Sequence, residues 1–353
     1  MRIALVTPEY PGCGPSFGVG RYVRDLAECL TDAGATVRVL AATDDGCFIA
    51  EPRQEPRLVS PGIPRLVLRP VLAARWLNLQ IAEFAPDVVD VPNWGGLGAC
   101  LAPGRPCVVR LVTSASDPSL ARGDLLLPLR MAWELATVRR AARLVSDSAA
   151  MSAVSRRIYG RSADEVIHLA YRGPLAALLP RPQPTVLFVG RLEERKGADI
   201  LLDAWPQVLA ACPAAHLHVV GPDKSGLAPR LTAAAGVTWH GFVDDATLSG
   251  LRASCRVQVI PSRFESFGLV ALEAWAAGMA VVASDAGSLP TVVGDAGVIA
   301  ASEDPPALAR ALITALDPQR SALLAAAGQA RLASHFHPDL LAARSLAAYT
   351  RVI

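Results

Sequence analysis

RGPLAALLPRPQPTVLFVG, residues 172–190, marks where one α/β pattern stops and another starts. Residues 172–184 hold four prolines in thirteen positions. Each removes a backbone donor and biases its predecessor toward extended geometry, so 173–184 reads as a Pro-rich hinge. TVLFVG (185–190) is a short apolar run closing on glycine, the pattern of a strand buried on both faces of a parallel sheet. Upstream, IALVT (3–7) has the same character. A helical pattern from Gly18 to near Gly34 and the strand TVRVLAA from Thr36 complete a βαβ unit. Further strands are expected at 87–91, 107–112, 144–147 and 166–169, a long helix over 125–143, and loops around 43–60, 93–104 and 113–125. Downstream, strands are expected at 216–221, near 237–239, at 257–261 and at 280–284. Helices fall around 197–211, at 245–254 behind an Asp244 cap and at 268–277, with a helical end from roughly 305 to 353 broken near Pro338. The expected fold class is α/β: two doubly wound, Rossmann-like domains, 1–172 and 185–336, facing a central cleft beyond the carboxyl ends of their strands.

The chain has 353 residues, 52% apolar and 19% charged, with a net charge of +2. It is too apolar for a disordered chain and too balanced in charge for a nucleic-acid footprint. Of 34 basic residues only Lys196 and Lys224 are lysines. Codon bias toward Arg, Ala, Gly and Pro accounts for most of that skew, yet it makes a lysine in a suggestive place worth following. All six histidines (His168, His216, His218, His240, His335 and His337) lie after residue 167, so no imidazole chemistry is expected from the first half. Seven cysteines are scattered without a Cys-x-x-Cys pair, against a disulfide framework or structural zinc and in keeping with a reducing cytoplasm. The apolar run at the amino terminus is too short for a signal core, and the stretch Leu269–Ala283 is interrupted by Glu273. The expected protein is cytoplasmic, with no integral membrane segment and no nucleic-acid partner.

PGCGPSFGVGRYV (11–23) has the glycines of a dinucleotide loop but not their spacing: Phe17 and Val23 stand where third glycines belong. A helix starting near Gly18 still points N–H groups at a phosphate or polar acceptor, unless the segment is simply a turn. In FVGRLEERKG (188–197), Arg191 and Lys196 leave the second domain's first strand at its carboxyl end. They suit an anionic ligand, or equally serve as solvated cations beside Glu193 and Glu194. PSRFESFGLVALEAWAAG (261–278) is more telling. Phe267, Gly268 and Leu269 start a helix whose N–H groups suit a diphosphate. Glu265 precedes that start and Glu273 follows in the second turn, leaning back toward it. A carboxylate accepts both hydrogen bonds of a vicinal diol, so the pair suits the two sugars of a sugar nucleotide. Glu273 sits in an otherwise apolar helix, where a buried carboxylate needs partners.

FVGRLEERKG, ESFGLVALE (265–273), AGMAVVASDAGSLP (277–290) and FHPDLLAARSLAAYTRV (336–352) occur in order at ordinary spacings. In these motifs the chain resembles the retaining glycosyltransferases of family 4, with the two-domain GT-B architecture. The resemblance implies that 337–353 is a helix crossing back to the first domain. It implies that Arg191 and Lys196 bind and stabilise the departing diphosphate, and that Glu265 holds the donor sugar with the backbone of Ser266, Phe267 and Gly268. Glu273 would take the ribose, Gly241, Phe242 and Val243 the base, and Gly18, Gly190 and Leu269 further donor contacts. Glu9, Asn93, Thr113 and Ser114 are the acceptor-side candidates. No metal and no cofactor is expected; Asp244-Asp245 reads as a helix cap. DVVDVPNWGG (87–96) and PCVVRLVTS (106–114) resemble relatives in which a His follows Arg-Leu, whereas Val112 stands here; Thr291 stands where relatives often carry Glu. The implied function is transfer of a sugar, hexosyl in type, from a nucleotide sugar, UDP before GDP, to a small-molecule acceptor in natural-product, thiol or cell-envelope biosynthesis of a high-GC bacterium. A sugar-nucleotide epimerase using Asp87, Asp90 or Asp117, and a non-catalytic nucleotide-sugar-binding homologue, are the alternatives. Oligomeric state is left open.

Overall fold

The computed structural model describes residues 1–14, 18–61, 69–113 and 126–353. The chain forms two compact units, Met1–Ala170 with His337–Ile353, and Tyr171–Phe336.

The first unit runs β1 (Arg2–Thr7), α1 (Gly18–Asp32), β2 (Thr36–Ala42), β3 (Gly46–Ala50), β4 (Arg57–Pro61), α2 (Arg69–Phe84), β5 (Val88–Pro92), β6 (Cys107–Leu111), α3 (Leu127–Arg140), β7 (Arg143–Ser146), α4 (Ala149–Tyr159) and β8 (Glu165–Val166). The sheet order is β4-β3-β2-β1-β5-β6-β7-β8. Pairing is parallel except where β3 meets β2 and β4. Strand order reverses between β1 and β5, so the loops leaving these two strands diverge and open a crevice.

Three sequence expectations need correcting here. The expected 43–60 loop contains the β3–β4 extension. It starts in a tight turn in which the Thr43 hydroxyl accepts from the N–H groups of Asp45 and Gly46, both at 3.2 Å. Every residue of β3 is buried, which a loop would not achieve. The long helix is Leu127–Arg140 rather than 125–143, because Ala141 turns to extended geometry and Arg143 already pairs in the sheet. The strand expected at 166–169 is Glu165–Val166, since its partner β7 stops at Ser146.

The second unit runs β9 (Thr185–Val189), α5 (Ala198–Ala211), β10 (His216–Val220), α6 (Ala228–Ala233), β11 (Val237–Trp239), α7 (Asp245–Ser254), β12 (Val257–Ile260), α8 (Leu269–Ala276), β13 (Ala280–Ser284), α9 (Leu289–Val293), β14 (Val298–Ala300), α10 (Pro305–Leu316) and α11 (Pro318–His335). Its parallel sheet has the order β11-β10-β9-β12-β13-β14, reversing between β9 and β12. Val186, Phe188, Val257 and Val259 pack on Leu201, Trp205, Val208, Leu312 and Ala315 of α5 and α10 in one buried core. α8 lies against α11, where Gly328 makes room for the fully buried Trp275: an added Cβ would stand 2.0 Å from the indole. The helical end is broken at Asp317 as well as before Pro338. Asp317 caps α11 by accepting from Arg320 N–H at 2.8 Å, and each proline occupies a first helical position, where its missing donor costs nothing.

α12 (Pro338–Thr350) returns to the first unit and packs on α1. A buried polar cluster fastens it. Arg110 donates to Asp90 at 2.7 Å, to the Tyr349 hydroxyl at 2.9 Å and to the Ser345 hydroxyl at 3.0 Å, while Tyr349 donates to Asp90 at 2.6 Å.

Candidate active site

The topological switch of the second unit brings together the loops leaving β9 and β12. Gly197, at φ +68°, is why they come so close: a Cβ there would sit 2.0 Å from the Pro261 carbonyl oxygen. Arg263 ties the same loops from the other side. Its N–H donates to the Arg195 carbonyl at 2.8 Å, and its guanidinium forks both Asp199 oxygens at 2.7 and 2.9 Å.

This places the Lys196 ammonium on Glu265 Oε1, which also accepts from the Ser262 hydroxyl at 3.0 Å, with Arg195 Nη1 3.9 Å from Oε2. Glu265 is only 6% exposed. Burial pushes its carboxyl upward, but the charges of Lys196 and Arg195 prevail and hold it below the usual carboxylate range. The backbone here is fixed as tightly. Gly287, at φ +62°, lies where a Cβ would be 2.3 Å from the Glu265 carbonyl oxygen. Ser288 donates its N–H to Glu265 O at 3.0 Å and its hydroxyl to Phe267 O at 2.6 Å. The Phe267 ring is buried edge-on against Phe336, 5.8 Å between centroids. Gly268 then turns left-handed at φ 99°, and α8 starts at Leu269 without a side-chain cap, as an anion-binding helix start requires. Gly190 closes β9 by donating to Val220 O at 2.9 Å.

The other expected donor residues are placed differently. Arg191 is exposed and reaches Glu193 at 3.4 Å rather than joining Lys196 on Glu265. After β11, the Gly241 carbonyl accepts from Gly221 N–H at 2.7 Å, Phe242 is 84% exposed and Val243 is half-buried. Asp244 caps α7 by accepting from Thr247 N–H at 2.8 Å. Glu273 has a partner that its sequence position did not name: it is paired with Arg252, in the last turn of α7.

At the first unit's switch point the acceptor-side candidates divide. Glu9, after β1, is buried and accepts from Gly20 N–H at 3.1 Å. One donor of the helix start at the exposed Gly18 thus meets a carboxylate of the chain itself, where a phosphate or acceptor group was expected. Asn93, after β5, is fully buried. It donates to Thr113 O at 2.7 Å and accepts from Val112 N–H at 3.2 Å, so its amide holds the end of β6. Thr113 is half-buried there; Ser114 and Asp117 lie outside the described residues. Asp87 bonds Arg2 N–H at 2.7 Å at the amino end of β5, and Asp90 belongs to the Arg110 cluster. The expectation of no imidazole in the first half is overturned: His168 lies in the first unit, its Nδ1 2.9 Å from the Asp147 carbonyl. A carbonyl only accepts, so Nδ1 is the donor of this hydrogen bond. Arg195, Ser262, Gly287 and Arg252 were missed by sequence reasoning. The arginine and serine could have been noticed as polar neighbours of Lys196 and Glu265, whereas Arg252 leaves no signal, since nothing local links it to Glu273. Among the described residues no group of three or more His, Cys, Asp or Glu is placed to hold a metal ion.

A glycosyltransferase family 4 model matches residues 18–174 and a glycosyl transferases group 1 model residues 183–318. The phosphatidyl-myo-inositol mannosyltransferase of Mycolicibacterium smegmatis is 34% identical over 336 residues, covering 90% of this chain and 85% of its own length. A glycogen synthase of Mycobacterium tuberculosis is 29% identical over 393 residues, covering 99% and 94%. Among solved structures, sucrose-phosphate synthase from Thermosynechococcus elongatus superposes with a TM-score of 0.80 at 24% identity, covering 99% and 98%. Anabaena HepE in complex with UDP-glucose does so at 0.74 and 19%, covering 99% and 100%. The chain belongs to the family 4 glycosyltransferases of GT-B fold. It is a glycosyltransferase that uses a nucleotide-sugar donor.

Proposed function

We propose that the enzyme retains anomeric configuration, needs no metal, and moves a hexose from a UDP-sugar to a small-molecule acceptor. The observation that carries this is the Lys196–Glu265 pair at the switch point, beside the uncapped start of α8. Glu265, kept ionised, accepts hydroxyls of the donor sugar, and Glu273 those of the ribose. Lys196, the first turn of α8 and Arg191 meet the diphosphate, supplying the positive charge that a metal would otherwise bring. The bond from the anomeric carbon to the diphosphate oxygen breaks as the acceptor's oxygen or sulfur bonds to that carbon on the same face. The acceptor's proton passes to the departing diphosphate oxygen, so no side-chain base is required. Val112, buried at the end of β6, offers none.

UDP is favoured over GDP because UDP-glucose is the ligand of the Anabaena neighbour. A reducing cytoplasm as the site of action is supported by seven free cysteines. Among the described residues no helix is long and apolar enough to cross a membrane.

The deciding experiment incubates the protein with UDP- and GDP-hexoses and a panel of small alcohols and thiols, with and without a chelator, and reads the product's anomeric configuration by NMR. Retention unaffected by chelator is expected. Inverted product or chelator-abolished turnover overturns the mechanism, and isomerised donor without acceptor would establish the epimerase instead.

A further inference from the structure

We infer that Arg252 is a positioning residue for donor binding, holding Glu273 as an oriented acceptor for the ribose hydroxyls; this rests on the ribose-binding reading of Glu273. Glu273 is the sole charged residue of α8, LVALEAWA, and its side chain is 11% exposed. A carboxylate so enclosed needs partners within reach. The Arg252 guanidinium, itself 15% exposed, lies on Glu273 Oε2 and fixes its orientation.

The approach is built into the chain. α7 buries none of its residues, so apolar packing does little to place its end. Arg181 does so instead: its guanidinium donates to the Arg252 carbonyl at 2.6 Å, and also to the carbonyls of Cys255 and Ala277, joining the ends of α7 and α8. The Arg252 Nε–H, meanwhile, is buried without an acceptor. Such a donor costs about 1–3 kcal/mol.

Dissociation constants for UDP and 2′,3′-dideoxy-UDP are measured by calorimetry on the full chain, for wild type, Arg252→Met, Arg252→Lys and Glu273→Gln, with circular dichroism confirming the fold. Wild type is expected to prefer UDP by about tenfold or more, since hydrogen bonds to a charged group are at stake. Glu273→Gln and Arg252→Met are each expected to shrink that preference to about threefold or less, and Arg252→Lys to restore it. A merely structural arginine would weaken both ligands equally and leave the ratio unchanged. If Glu273→Gln loses the preference while Arg252→Met keeps it, the inference fails and the ribose reading stands. If Glu273→Gln keeps it, the ribose reading falls and takes the inference with it. Should Arg252→Met not fold, Arg252→Gln replaces it under the same criteria.

Discussion

Glu265 has to be charged and enclosed at once, and Lys196 makes that combination tolerable. Lys196→Ala removes both a counter-charge for Glu265 and a charge that meets the leaving diphosphate. Turnover is expected to fall by roughly two to three orders of magnitude in steady-state assays with saturating donor; near wild-type turnover would dismiss Lys196 from the reaction. The depressed Glu265 carboxyl also has a thermodynamic signature. Its stabilisation is complete above the ordinary carboxylate value of 4.5 and is lost as pH falls through the lower folded-state value. The stability difference between wild type and Glu265→Gln, from urea unfolding, is therefore expected to stay flat from pH 7 to 5 and shrink below. A difference that grows on acidification would reverse the assigned direction. Lys196 and Glu265 were both legible in the sequence, one as a rare lysine and the other by its place before a helix. Their pairing was not, because 69 residues separate them and only the adjacency of β9 and β12 brings them together.

At the scale of elements, glycines let loops of different strands interleave. Gly287→Ala combines a left-handed backbone with a Cβ 2.3 Å from the Glu265 carbonyl. It is expected to cost about 1–3 kcal/mol in urea unfolding and to raise the donor KM by displacing Glu265. An unchanged KM would mean that the loop position does not govern donor binding. Strands buried on both faces stood out as apolar runs, and β1, β2, β9, β12 and β13 fall where such runs lie. The β3–β4 extension did not, although Asp45-Gly46 between apolar stretches is a recognised hairpin signal. Pro52 and Pro56 inside the expected 43–60 loop favour turns, yet β3 just before them is buried throughout.

For the molecule as a whole, the revealing group is the Arg110 cluster, joining β5, β6 and α12. Asp90→Asn leaves a buried guanidinium without its counter-charge and is expected to destabilise the protein by about 3–5 kcal/mol. Tyr349→Phe, which leaves Asp90 in place, is expected to cost about 1 kcal/mol. Equal losses in urea unfolding would show that the charge is not what matters. The α/β class could be read locally from apolar runs, whereas the units divide at Ala170–Tyr171 and the Pro-rich stretch 173–184 belongs to the second. The polar lock of α12 could not, since Arg110 and Tyr349 lie 239 residues apart and each looks ordinary in its own segment.

That separation has a consequence for biosynthesis. At about 5–20 residues per second, a ribosome needs roughly 12–50 seconds to add the residues between Arg110 and Tyr349. During that interval the whole second unit is synthesised while the first still lacks its last helix, and Asp90 and Arg110 lack the hydroxyls of Ser345 and Tyr349. The domain that begins the chain is thus the one completed last. A released chain truncated before Pro338 should expose its first unit to protease even when the second is already resistant.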